Sequence, residues 1–312
     1  MNSAEVQERQ ESNREIVISL LLLVAFVLLG LFVGQFIGAL FVFVLFDFEL
    51  SKVMQVLSGA TVEVPQARTA LLVLQAGGAL LGYVVTPLVH QQLIDRTPFT
   101  SILSTQNTTK LSLALTGLLV VACLPAIVFL AEWNRNIDFS IFSPAFHNWA
   151  TAQEENLGEL LTFITQFESV SGLLGGLLVI AVLPGLGEEI LFRGVLQRRL
   201  QSLVGNPHAA IWIAATIFSA IHIQFFGFFP RLLLGALFGY VYYWSGSLWY
   251  AIIAHFMYNG TTIVLLYLHQ HGVIDTDIDA TQSVPWSTAA LSVAIGAVLL
   301  FIFKRQTSSR YA

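Results

Sequence analysis

From Ile16 to Phe46 the chain runs without an ionisable side chain, well beyond the roughly 20 apolar residues that cross the hydrocarbon core of a bilayer. Such a segment does not fit a water-soluble fold. Inside lipid no water satisfies backbone N–H and C=O groups, so only helices, which bond internally, or closed barrels are stable there. The rest of the chain repeats the pattern. Hydrophobic residues make up 56% and charged residues 11% of the 312 residues, with a mean hydropathy of +0.75, against roughly 45–50% and 25% in soluble domains. The expected fold is an all-α, polytopic membrane bundle of about eight transmembrane helices. A net charge of −5 supplies no basic stripe for nucleic acid. The single cysteine, Cys123, leaves no internal disulfide and reads as a packing residue.

Taken in order, residues 1–15 are expected to form a solvated tail, 16–303 a single transmembrane domain and 304–312 a basic cytoplasmic tail. The first helix should be retained, because its apolar run is about twice the length of a signal peptide's. It carries Gly30, Gly34 and Gly38 at four-residue spacing, which permits close helix approach within the chain or between copies and leaves the oligomeric state open. Further spans are expected over Thr69–Val89, Leu111–Ala131, Val170 toward Arg199, Pro207–Gln224, Leu232–Trp244, Leu248–Leu268 and Ser287–Phe303. His90 opens a polar connection, and Pro125 requires a neighbouring helix to satisfy the hydrogen bond it removes. Between Glu132 and Ser169 the apolar positions Leu157, Leu160, Leu161, Ile164 and Phe167 form one stripe, expected to lie on the membrane surface, with a lid as the alternative. Assigning both termini to the cytoplasm puts most Lys and Arg inside, leaving Lys52, Arg68, Arg135 and Arg231 outside. The short loops suggest a bacterial plasma membrane.

Three segments place polar chemistry at membrane depth. Gly187-Glu188-Glu189-Ile190-Leu191-Phe192-Arg193 puts three ionisable groups after an uncharged run, where a charge costs from roughly 2.5 to more than 10 kcal/mol unless paired or hydrated. Glu189 and Arg193, four apart, share a helix face and are expected to pair. Glu188, about 100° round the helix, is expected to face something else. Phe218 and His222 on one span, and His255 and Asn259 on another, repeat the four-residue spacing. Helical rise puts the three groups at comparable depth, expected in the cytoplasmic half.

Glu-Glu-x-x-x-Arg, Phe-x-x-x-His and His-x-x-x-Asn, in this order on separate apolar helices, resemble the type II CAAX prenyl protease family, also called the CPBP or Abi family of glutamic intramembrane proteases. The resemblance covers about residues 170–265. It implies an intramembrane endopeptidase in which Glu188 and His222 activate water, His255 and Asn259 face the oxyanion, Glu189 orders the site, and Arg193 and Phe218 support it. It also implies a protein or peptide substrate, in some members lipid-modified, with membrane lipid as the surroundings and no cofactor. The family includes enzymes that trim prenylated proteins and bacterial members linked to bacteriocin processing or self-immunity, and nothing in the residues selects among them. Two rivals stay open. Two histidines and a glutamate are a legitimate zinc set with one position for water, although no His-Glu-x-x-His segment is present; and a transporter or immunity-type binding protein could use the same cluster without catalysis. His147, His208, His269 and His271, with Asp275, Asp277 and Asp279, are expected to be solvated polar groups.

Overall fold

Each apolar run is a helix in the computed structural model, which describes residues 3–59, 64–105, 108–274 and 284–308. The chain is 85% helical, with no strand among the described residues. Ten helices organise the described residues: α1 (Ser3–Leu45), α2 (Leu50–Leu57), α3 (Ala67–Leu93), α4 (Lys110–Arg135), α5 (Pro144–Thr165), α6 (Val170–Val204), α7 (Pro207–Ala220), α8 (Phe228–Ser245), α9 (Leu248–Gln270) and α10 (Trp286–Ser308). Their starts are set locally. Thr109, Ser143, Ser169 and Asn206 side chains accept from free N–H groups of the first turn, and Pro207 follows Asn206 at a position where its missing N–H is not needed. Gly205, at φ +70°, closes α6 in the left-handed conformation before that cap.

Seven helices are long and apolar enough to cross a membrane among the described residues, so the protein is a polytopic helical membrane protein. The fifth expected span, α7, has 14 residues and is about 21 Å long at 1.5 Å per residue, short of the roughly 30 Å of hydrocarbon. The turn that follows it, with His222, therefore falls within the membrane's thickness. Non-helical backbone is tolerated at that depth only where protein or a water-filled cavity covers it. α5 provides the cover. Phe146 and Trp149 pack on Phe225 at ring-centroid distances of 5.0 and 5.6 Å, and Phe139 on Phe226 at 5.3 Å. The expected surface stripe is thus divided: Ile164 and Phe167 are buried, while Leu160 and Leu161 face outward.

α6 is the central helix, packing against α1, α3, α7, α8 and α9. α1 and α3 meet backbone to backbone. A Cβ on Gly77 would come within 2.5 Å of the Gly34 carbonyl oxygen, and one on Gly38 within 3.2 Å of Leu74 Cα. The glycine stripe is therefore filled within the chain. α4 stays helical through Pro125, and beside the proline Ser292 of α10 enters its ladder: the hydroxyl donates to the Ala122 carbonyl at 2.6 Å and accepts from the Ala126 N–H at 3.2 Å. α3 extends past the expected loop start, so His90 is fully buried, its Nε2 donating to the Ser19 carbonyl at 2.8 Å. Asp95 closes that end by accepting from Ser19 and pairing with Arg199. α1 begins at Ser3, so the expected tail is helical from there; Asp275, Asp277, Asp279 and Arg310 lie outside the described residues.

Candidate active site

The site forms where α6 changes its winding. Two π-helical stretches, Leu177–Val182 and Ile190–Gln197, flank the α-helical turn Leu183–Glu189. Pro184 explains the first. It has no N–H for the Ile180 carbonyl four residues earlier and its ring crowds that oxygen, so the helix widens there. α3 shows the same relation, with a π stretch at Leu80–Val85 just before Pro87. Asn259 of α9 donates from Nδ2 to the exposed Ile180 oxygen at 3.1 Å. Gly185 and Gly187 let α9 and α3 approach this turn: a Cβ would lie 3.2 Å from the Phe256 nitrogen at the first and 2.9 Å from Tyr83 Cβ at the second.

The two glutamates diverge as their adjacent positions require. Glu189 is fully buried, and its Oε1 accepts from Arg193 Nη1 at 2.7 Å and from His255 Nδ1 at 2.8 Å. Glu189 Oε2 has no protein partner. Arg193 donates its other terminal nitrogen to the Gly235 carbonyl at 2.8 Å, with its guanidinium over Phe218 and Phe238, 4.9 and 5.6 Å from the ring centroids. Phe238 also stacks on the His255 ring at 5.4 Å and 28°. His255 is therefore fixed in plane and in tautomer: a carboxylate on Nδ1 makes that atom the N–H and turns Nε2 toward Glu188, whose Oε2 lies 3.8 Å away. Glu188 is the less buried of the pair, at 15% side-chain exposure against 0% for Glu189.

His222 sits in the turn beyond α7. Its Nδ1 donates to the Phe218 carbonyl at 2.7 Å, which leaves Nε2 as the free ring nitrogen. The next residue, Ile223, has φ +54°. A β-branched side chain in that region is strained by on the order of 1–3 kcal/mol, and the chain turns sharply there, right after the histidine and beyond the end of α7 at Ala220. The sequence-based set thus divides into Glu188, Glu189, Arg193, His255 and Phe218 in mutual contact, His222 within electrostatic range of His255, and Asn259 on the Ile180 carbonyl. Among the described residues, no three His, Cys, Asp or Glu side chains converge on a metal-binding arrangement. His147 and His208 have protein neighbours, Asp138 at 3.6 Å and the Tyr240 hydroxyl at 3.0 Å.

Two residues escaped the sequence reading. Phe238 looked like any aromatic in an apolar span. Arg231, grouped with loop charges, lies in the first turn of α8, with Glu188, His222, Tyr258 and Glu154 all within range of its charge. Burial pushes the Glu154 carboxyl above the usual range against the opposing pull of Arg231 and Arg135.

Residues 170–261 match the family model of the type II CAAX prenyl endopeptidases, Rce1-like, which span the two π stretches, both histidines and Asn259. The uncharacterized protein YpbD of Bacillus subtilis is 32% identical over 85 residues, 26% of this chain and 40% of that protein; the chain thus spans less than half of that relative's length. No solved structure matches the chain.

Proposed function

We propose that this chain, similar over residues 170–261 to an intramembrane endopeptidase family, hydrolyses a peptide bond within the membrane with Glu188 as the base. The observation that carries the reading is the Glu189–His255–Glu188 arrangement: one buried carboxylate orients an imidazole whose other nitrogen faces a second, partly accessible carboxylate. Orientation by a buried carboxylate is how a histidine is held for catalysis in other hydrolases. Glu188, assisted by His222 Nε2, takes a proton from water as the water oxygen bonds to the scissile carbonyl carbon. The carbonyl electron pair moves to oxygen, facing the Asn259 N–H not engaged by Ile180 and, when its ring is protonated, His255 Nε2. Collapse of the oxyanion breaks the C–N bond, and the proton held by Glu188 passes to the leaving amine. Glu189, Arg193, Phe218 and Phe238 position His255.

The substrate class follows from the similarity alone: a protein or peptide segment, with a prenylated carboxyl-terminal region as the chemistry to try first. The test is cleavage of a quenched-fluorescence peptide bearing a farnesylated cysteine near its carboxyl end by the purified protein, with and without chelator. Glu188-dependent cleavage that persists in excess chelator is expected. Chelator inactivation reversed by zinc would replace the glutamate mechanism with a metal one, and binding without turnover would return the chain to the transporter or binding class.

A further inference from the structure

The oxyanion formed at Glu188 needs donors, and the residues already named supply few. Backbone N–H groups beyond the first turn of each surrounding helix are engaged in its ladder. One of the two Asn259 N–H groups is held by Ile180. His222 and His255 each use Nδ1 on a protein acceptor, so the free Nε2 of either donates only when the ring is protonated. Arg231 differs from all of these because its charge is permanent.

Its setting leaves that charge available. Nη2 donates to Gln224 Oε1, which pins one arm of the fork, and Gly227 makes room beside it, since a Cβ there would lie 3.3 Å from Nη2. Nη1 is buried without a hydrogen-bond partner. No carboxylate of the described residues lies within ion-pair distance of the guanidinium, although Glu188 and Glu154 lie within range of its charge. A cation in the first turn also opposes the helix dipole, so packing within α8 does not account for it. Arg231 and the start of α8 instead add positive potential at one place, close to both Glu188 and His222.

We propose that Arg231 is a catalytic residue of this site: its Nη1 donates to the oxyanion of the tetrahedral intermediate, alongside Asn259. The inference rests on the endopeptidase reading. In the reaction the carbonyl oxygen gains a full negative charge as the water oxygen bonds to carbon, and Nη1–H bonds to that charge without transferring a proton. The charge dissipates when the C–N bond breaks.

The test compares wild type, Arg231→Gln, Arg231→Lys and Glu188→Gln on two farnesylated quenched-fluorescence peptides, one with a free carboxyl terminus and one amidated, with thermal unfolding of each variant in detergent. Loss of an oxyanion donor lowers kcat by about 10²–10³-fold. Arg231→Gln is expected to fall by about that factor in kcat on both peptides, with KM within about threefold and unfolding temperature unchanged, and Arg231→Lys to recover part of the loss. Wild-type turnover by Arg231→Gln overturns the assignment. So does a loss confined to KM and to the free-carboxyl peptide, which makes Arg231 a grip on the substrate's terminal carboxylate, or a loss that tracks unfolding and is not relieved by lysine. Absence of cleavage by wild type removes the endopeptidase reading and this inference together. Cleavage by wild type, loss in Glu188→Gln and full activity in Arg231→Gln removes this inference alone.

Discussion

Glu188 and Glu189 differ by one position and by everything they touch. Glu189 neutralises a buried guanidinium and holds an imidazole; removing its charge leaves Arg193 uncompensated among apolar side chains, and breaking a buried pair on one side costs about 3–5 kcal/mol. Glu189→Gln is therefore expected to lower the unfolding temperature and the activity together. Glu188 has no such partner in contact, so Glu188→Gln is expected to abolish peptide cleavage while thermal unfolding stays within error of wild type. A folded, inactive Glu189 variant beside an active Glu188 variant would exchange the two roles. The Glu189–Arg193 pair was legible in the sequence because four-residue spacing fixes a shared helix face. The bond from His255 to Glu189 was not, since 66 residues separate them and only the packing of α9 on α6 decides which glutamate receives Nδ1. Arg231 was misplaced for a different reason. Its neighbours in sequence are an aromatic turn and a proline, which mark a membrane edge, and only the short length of α7 reveals that this edge is sunk within the bundle.

At the scale of helices, two prolines are accommodated in two ways, and each makes a forecast. Asn259 binds the carbonyl that Pro184 leaves without a partner, so Asn259→Ala exposes a buried acceptor at a cost of about 1–3 kcal/mol and also removes a donor facing the reaction. A slow but measurable protease of reduced stability is expected. Adding Pro184→Ala should restore stability, because an alanine N–H can take the Ile180 oxygen, while leaving kcat low. A double-mutant cycle on unfolding and turnover separates the two contributions. No stability coupling between positions 184 and 259 would show that the contact is incidental. Around Pro125 the helper is Ser292, which both donates to Ala122 and accepts from Ala126. Ser292→Ala removes both of these bonds, which the Ala126 N–H and Ala122 carbonyl can only partly replace with each other, and is expected to lower stability by about 1–3 kcal/mol, measured by thermal unfolding, with no effect on KM. The need for such a helper was readable from Pro125, but its identity was not. Any hydroxyl on an adjacent span would serve, and sequence order says nothing about which helix is adjacent.

For the molecule as a whole, the distribution of charge bears on which end of the bundle faces the cytoplasm. The short α7 divides the protein unequally: α5 roofs the site at one end, while the buried His90, Asp95 and Arg199 network ties α1, α3 and α6 at the other. Arg96, Lys110, Arg198, Arg199, Lys304 and Arg305 belong to connections or helix ends on the network side, whereas the loop carrying α5 holds Glu132, Asp138, Glu154, Glu155, Glu159 and Glu168 against Arg135. Since positive charge in short loops is retained on the cytoplasmic side and acidic residues contribute little, we place α5 outside and both termini inside. The α5-covered turn beside His222 would then face outward. A cysteine at Glu155, an exposed position on α5, introduced into a Cys123→Ala background, reads this directly. An impermeant maleimide is expected to label it in intact cells, while a cysteine at the exposed Arg198 should react only after the membrane is opened. Labelling of position 155 solely from the cytoplasmic side would invert the molecule and bring the α5-covered face of the site to the cytoplasm, where a prenylated substrate would have to reach it from beneath α5.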